Sequence, residues 1–449
     1  MMDDRKNYLN EQASLRPTKR DRISPMEREK NERNKDFEEV SLGFTEEEAV
    51  LEAERCLNCK NPTCISGCPV EINIPKFIMA IRGGNIKGAK EVIDNSHAFP
   101  GITGRVCPQE TQCESVCVLE KVGKPVNIGK LERYVGDFMR KQNENSRKNS
   151  EKNFEHSVGI VGSGPSAMSL SYDLLKAGIK PIIYEAFDKL GGVLTYGIPS
   201  FRLPREVIGY EIEELKNEGL EVKLGTIVGK SISIDELLKK HDFVFLGSGA
   251  GLPRLPEIPG TDSNNVFTAN EFLTRINLCH ANLDGYKTPL PKGETVAVIG
   301  GGNVAMDAAR SAKRLYKSSE IFYRRGEEKL SARIEEIEHA KEEGVVINTN
   351  YNPVSVNEDE ITFMVNGEEV KRKFDIIIFA IGTEPNKLMN FEKEGIKTVN
   401  GLVEIDEYFE TSRDRVYAGG DVVSGAATVI RAMESGKIVA RNIIKRLGE

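Results

Sequence analysis

Seven of the chain's eight cysteines lie between Cys56 and Cys117. They fall in two bursts, Cys56-x2-Cys59-x4-Cys64-x3-Cys68-Pro and Cys107-Pro-x4-Cys113-x3-Cys117. Thiolates at this density are metal ligands. Cysteines that end a run before proline resemble ferredoxin runs, where the last thiolate serves the other cluster. The x4 gap after Cys59 departs from the simple ferredoxin x2 spacing. Seven thiolates cannot fill two four-ligand clusters, so one ligand must be another residue type. Zinc is the rival metal, because four-cysteine groups suit it too.

Downstream lie two glycine fingerprints that could hold dinucleotides. The first is Gly162-x-Gly164-x-x-Ala167, with a strand before it and a helix after it. Its glycines allow a tight turn and a close approach of backbone to pyrophosphate, which meets the N–H groups of a helix N-terminus. Glu185, 23 residues on, offers a carboxylate to ribose hydroxyls. The second is Gly300-x-Gly302-x-x-Ala305, with Asn303 opening the helix. Where the first site has an acid, the second has Arg324 and Arg325. A carboxylate repels a 2′-phosphate, and a guanidinium fork binds one. The pair therefore predicts a 2′-hydroxyl cofactor in the first site and NADPH in the second, and the C-terminal Gly420 and Asp421 make the first ligand FAD. Gly192, in the stretch Leu190–Pro199, lets backbone pass a flat ring. Near the C-terminus Gly420 and Asp421 offer a carboxylate to the ribitol chain. A helix beginning near Ala427, with Thr428 at its start, aims its positive end at the flavin. A flavin and NADPH in one chain need a one-electron outlet, and this favours iron–sulfur over zinc. A dithiol beside the flavin is missing, since Cys279 is solitary and expected to be buried packing.

The elements that position these residues follow from pattern. Thr45-x-x-Glu48 reads as a capping box that opens a helix ending at the first cysteine. Ile74–Arg82 reads as a second helix. Residues 1 to about 35 are charged and predict a solvated, extended or partly helical arm around a neighbouring domain. The polar stretch 141–153 reads as a linker. Two βαβ starts then give two Rossmann-like units, and the order FAD fingerprint, NADPH fingerprint, Asp421 places the second unit inside the first. The expected fold class is α/β. A helical iron–sulfur domain (1–145) precedes FAD-binding segments (154–287 and 387–449) that flank an NADPH-binding domain (288–386).

Composition adds bounds. The chain has 449 residues, is 39% hydrophobic and 29% charged, and carries a net charge of −7. That balance gives no electrostatic reason to expect nucleic acid or a membrane surface. Neither a signal-peptide core nor an 18-residue apolar run is present, so the expectation is a cytoplasmic protein whose clustered thiols are ligands rather than disulfides. The five histidines show no ligand spacing, and His339, in a charged helical run, reads as solvated. Nucleophile elbow, P-loop and zinc-protease motifs are all missing.

Arg55-Cys-Leu-Asn-Cys, Gly67-Cys-Pro-Val, Gly104-Arg-Val-Cys-Pro-Gln-Glu and Pro125-Val-Asn-Ile-Gly129 resemble the N-terminal region of the glutamate synthase small (beta) subunit family. Dihydropyrimidine dehydrogenase has a similar domain, and so does the large subunit of NADH-dependent reduced ferredoxin:NADP oxidoreductase. The resemblance covers nearly the whole chain. It implies crossed ligation of two [4Fe–4S] clusters, one on Cys56, Cys59, Cys64 and Cys117, the other on Cys68, Cys107, Cys113 and Glu132. It also implies an NADPH-dependent oxidoreductase that exchanges electrons with a partner subunit. That partner is a large amidotransferase subunit carrying FMN, or a small ferredoxin-reductase-like flavoprotein with ferredoxin in play. The reading of another class is a flavoprotein with a zinc-bearing docking module.

Overall fold

The computed structural model describes residues 2–143 and 153–448. Most of the expected linker 141–153 therefore lies outside the described residues.

The N-terminal third is helical. Thr45 accepts from the Glu48 backbone N–H, and the Glu48 carboxylate accepts from the Thr45 N–H at 2.9 Å, which closes the capping box of helix Glu46–Glu54. Asn73 caps helix Ile74–Arg82, with Pro75 in its first turn. Helices Pro100–Val106 and Ile128–Asn143 cross in contact at glycines. A Cβ on Gly104 would stand 2.5 Å from the Arg133 nitrogen, and one on Gly136 would stand 2.4 Å from the Gly101 nitrogen. These two positions let the backbones touch.

The N-terminal arm is partly helical and lies against a neighbouring unit, as expected, but it is less solvated than expected. It opens with helix Met2–Ser14 and is not merely solvated. Leu9 packs on Ile23 and Leu51, and Arg33 is buried. Apolar residues at spaced positions hide among the arm's charges, and tertiary contact gathers them.

Two five-stranded parallel sheets follow. The first has the order Val416–Ala418, Phe243–Leu246, Ser157–Val161, Lys180–Tyr184, Glu221–Lys223. The second has the order Val266–Thr268, Ile376–Phe379, Thr295–Ile299, Ser318–Tyr323, Val346–Thr349. Strand Val416–Ala418 returns to the first sheet after the second is complete. The chain crosses between them at a two-strand ladder, Leu252–Pro253 against Thr383–Glu384. Val266–Thr268 pairs in the second sheet, so a division at 288 cuts through that unit. The three-residue strand was too short to show in the sequence pattern. A three-stranded antiparallel sheet (Asn352–Asn357, Glu360–Val365, Glu368–Lys373) packs Phe363 on Phe322 of the second unit. One apolar core runs from the cysteine domain (Ile102, Phe99) into the first sheet (Ile160) and its helix Pro165–Lys176 (Leu170). Among the described residues no helix is long and apolar enough to cross a membrane.

Candidate functional site

The fold sorts the cysteines across their bursts. Cys56 follows the capped helix, Cys59 lies in the loop beyond it, and Cys64 sits on the short helix Thr63–Ser66. Cys117 arrives from the second burst. These four sulfurs line one apolar cavity with Ile74, Ile78 and Val126. Burial first, then the charges of Cys56, Cys117 and Cys59, pushes the Cys64 thiol up to about 12. Such mutual electrostatic strain is what a shared cation relieves.

The second gathering is Cys68, Cys107 and Cys113, all buried, with the buried Glu132. Burial and then the Glu132 charge push Cys68 up to about 11. The same two causes raise Cys107, and in Cys113 they act together with the charge of Glu114. Glu132 is carried by Ile128–Asn143, and Cys107 terminates Pro100–Val106. The glycine crossing brings them together. His97 Nε2 lies 3.0 Å from Glu132 Oε1, and Thr103 Oγ1 lies 2.5 Å from the same oxygen. Neither residue stood out in the sequence, because their only signal is the helix crossing.

At the first glycine turn Gly162 has φ +89°, and a Cβ there would meet the Gly247 carbonyl at 2.6 Å. Gly164, at the cap of helix Pro165–Lys176, faces open space, which is room for a pyrophosphate. Ala167 is fully buried under it. Glu185 ends the second strand, where its carboxylate accepts from Ser163 Oγ (2.5 Å) and the Phe187 N–H (2.9 Å). Gly192 lies against Gly164. Gly420 and Asp421 follow the last strand of the same sheet. Asp421 Oδ1 accepts from the Ala427 N–H at 3.2 Å, and burial raises its carboxyl above the usual range. The C-terminal helix begins at Val429, two residues later than expected, with Thr428 as its cap. Its Gly436 rests on the Ser166 carbonyl of helix Pro165–Lys176. Fingerprint, Glu185 and Asp421 thus share the C-terminal edge of one parallel sheet, the edge where such sheets bind nucleotides. The cradle fits a flavin dinucleotide.

At the second turn Gly300 ends strand Thr295–Ile299, Gly302 caps helix Asn303–Leu315, and Ala305 is buried. Arg324 and Arg325 are exposed beyond strand Ser318–Tyr323. Arg325 Nε donates to the Tyr323 hydroxyl at 3.0 Å. Asn303 Oδ1 accepts from the Arg333 N–H, so its side chain organises the neighbouring loop.

Two expectations fail. His339 is buried and its Nε2 meets Glu27 Oε1 at 3.0 Å, because the N-terminal arm covers that helix face. Cys279 is half-buried rather than buried, since it lies just past the end of helix Ala269–Asn277.

Comparison with known proteins completes the picture. Residues 156–436 match the family described as pyridine nucleotide-disulphide oxidoreductase. The chain belongs to this family. Residues 33–144 match dihydropyrimidine dehydrogenase domain II, 4Fe-4S cluster, which replaces the zinc reading with iron–sulfur. The glutamate synthase [NADPH] small chain of Azospirillum brasilense is 31% identical, covering 93% of this chain and 93% of that one. The NAD-dependent dihydropyrimidine dehydrogenase subunit PreT of Escherichia coli (strain K12) is 32% identical over 91% of this chain and 96% of its own. Among solved structures, Mycobacterium tuberculosis FprA in complex with NADPH shares the fold at TM-score 0.55 and 18% identity, covering 65% of this chain and 85% of that one. The protein is thus an oxidoreductase that combines a flavin, a pyridine nucleotide and iron–sulfur chemistry, and its relatives include named small chains and subunits.

Proposed function

We infer that this chain is the NADPH-oxidising, electron-delivering subunit of a cytoplasmic two-subunit enzyme of the glutamate synthase type. The observation that supports the reading is the four-plus-three division of the cysteines: four sulfurs line one cavity, and Cys68, Cys107 and Cys113 lie buried where the charge of Glu132 reaches all three. Cys56, Cys59, Cys64 and Cys117 would hold one [4Fe–4S] cluster, and Cys68, Cys107, Cys113 and Glu132 the other. Bound flavin and clusters supply the conversion of a hydride pair into single electrons, and the protein supplies binding, spacing and electrostatics.

The protein's own residues divide that work. Gly162, Gly164 and Glu185 seat the FAD pyrophosphate and ribose, and Asp421 with the Thr428-capped helix faces the ribitol and ring. Gly300, Gly302 and the following helix seat the nicotinamide dinucleotide, while Arg324 and Arg325 recognise its 2′-phosphate. From residue 118 to 449 only Cys279 bears a thiol, so a dithiol beside the flavin is not the outlet. The partner is a large amidotransferase subunit, in keeping with the small-chain relatives.

Purification without air, with the native partner, tests this. The chain should carry about eight iron atoms and one FAD. NADPH should bleach the absorbance of the clusters as well as that of the flavin. Iron-free protein with full activity on its acceptor would end the reading. Capture of a small ferredoxin-reductase-like flavoprotein instead of an amidotransferase would redirect the partner assignment.

A further inference from the structure

We propose that His97 and Thr103 are positioning residues that reserve one oxygen of Glu132 for metal and make the position accept a carboxylate but reject an amide. The proposal rests on the reading above that Glu132 is the second cluster's fourth ligand.

The argument is one of hydrogen-bond polarity. The Phe99 backbone N–H donates to His97 Nδ1 at 3.0 Å. A ring nitrogen that accepts carries no proton, so the neutral imidazole holds its proton on Nε2. That Nε2–H points at Glu132 Oε1, 3.0 Å away. His97 is 1% exposed, so no solvent rearrangement can reverse this order.

Thr103 Oγ1 stands 2.5 Å from the same Oε1 and 2.9 Å from the Phe99 carbonyl. Its single proton goes to the carboxylate, since two lone-pair oxygens would otherwise face each other at 2.5 Å. The Phe99 carbonyl loses little, because it already accepts from the backbone N–H groups of Ile102 and Thr103, each at 3.0 Å. Two donors therefore converge on Oε1. Among the described residues no hydrogen bond reaches Oε2, which is the oxygen left to a metal. Outer groups that orient a ligand in this way raise its affinity for metal by about 10- to 100-fold.

An amide cannot satisfy this shell. With its carbonyl at the Oε1 place, glutamine would turn its NH2 toward the metal, and that nitrogen is a donor without a free lone pair. With its carbonyl at the Oε2 place, the NH2 would meet the His97 Nε2–H, donor against donor. His97 cannot switch tautomer, because the Phe99 N–H already occupies Nδ1.

The test uses the full chain, purified without air and carrying FAD. Its readouts are iron per chain, the electron paramagnetic resonance signal of each reduced cluster, and the second cluster's midpoint potential. Glu132→Ala and Glu132→Gln should each lower iron from about eight to about four, with the first cluster's signal and the flavin retained. His97→Asn keeps an acceptor for the Phe99 N–H and deletes only the donor to Glu132. It should keep its iron but move the second cluster's signal and potential, and Thr103→Val should do the same. The decisive variant is His97→Asn with Glu132→Gln, which should regain the second cluster that Glu132→Gln loses.

If Glu132→Ala keeps all its iron and an unchanged spectrum, the ligand reading itself falls. If Glu132→Ala loses the second cluster, two results overturn the positioning role: unchanged spectra in His97→Asn and Thr103→Val, or a double variant no better than Glu132→Gln. Should His97→Asn fail to fold, the Thr103→Val spectrum alone decides.

Discussion

Arg324 and Arg325 follow the second strand of the second unit, as Glu185 follows that of the first, and in the proposed function this difference of charge separates the two nucleotide sites. Replacing both arginines with alanine should weaken NADPH binding by about 10- to 100-fold, from the loss of charge-assisted bonds worth about 1.5–3 kcal/mol. NADH binding should change by less than about twofold, as titration calorimetry of the FAD-loaded chain would show. Equal losses for both cofactors would remove the 2′-phosphate assignment. The placement of these residues just past the second strand of each unit was legible in the sequence, because strand-end residues after a glycine fingerprint have a set spatial meaning. Glu211 was not legible. It looks like an ordinary helical acid, yet it is buried near Gly101, and burial pushes its carboxyl up to about 8 against the opposing charge of Lys90. The folded value lies above the unfolded one of about 4.5. Its contribution to stability is therefore full below about pH 4.5 and is lost as pH rises through about 8. Thermal melting should show the wild type losing stability between about pH 4.5 and about pH 8. Glu211→Gln should flatten that slope.

At the scale of elements, the crossing of Pro100–Val106 with Ile128–Asn143 decides whether Thr103, Cys107 and Glu132 meet. Gly104→Ala would put a methyl 2.5 Å from the Arg133 backbone nitrogen. It should destabilise the chain by about 3 kcal/mol and reduce iron incorporation at the second cysteine group. Gly209, inside helix Arg205–Asn217, makes a suitable control because a Cβ there meets open space. Gly209→Ala should be neutral or stabilise by up to about 1 kcal/mol. Equal melting temperatures for the two variants would show that the crossing tolerates separation. Helix Glu46–Glu54 could be read from the Thr45-x-x-Glu48 capping box, and Ile74–Arg82 from the run that holds Pro75. The crossing of Pro100–Val106 with Ile128–Asn143 could not, because a glycine in a helical run carries no mark of which neighbour it touches.

At the scale of the whole molecule, a buried ionic lattice ties the second nucleotide unit to the rest. Arg310 is fully buried and binds Glu343 through Nη2 at 2.6 Å and Glu336 through Nη1. Arg314 reaches Glu343 at 2.7 Å and the Arg33 carbonyl of the N-terminal arm. Arg202, from the first unit, binds Asp307 of the second at 2.7 Å. Arg333 reaches the Arg105 carbonyl and Gln109 in the cysteine domain at 2.8 and 2.9 Å. Phe201 lies under the guanidinium groups of both Arg310 and Arg314. Removing one partner of such a network strands the others, so Arg310→Met should lower stability by about 3 kcal/mol in denaturant unfolding. A loss under about 0.5 kcal/mol, the usual size for a surface change, would mean that the lattice is solvated and does not clamp the units.

The sequence by itself determined the class of chemistry, an oxidoreductase with flavin, pyridine nucleotide and iron–sulfur groups. Cysteine density, the two glycine turns, and the contrast of Glu185 with Arg324 and Arg325 are local patterns whose meaning survives without coordinates. Backbone turns and strand ends obey short-range geometry. The sequence resemblance already implied that Cys56, Cys59, Cys64 and Cys117 go together, and the shared cavity agrees; only the tertiary structure decided that His97 and Thr103 grip one oxygen of Glu132, and that a charged N-terminal arm is buried against His339. Each of those outcomes joins residues brought together by helix crossings and unit packing. Packing depends on contacts between segments far apart along the chain, and spacing along one segment does not encode them.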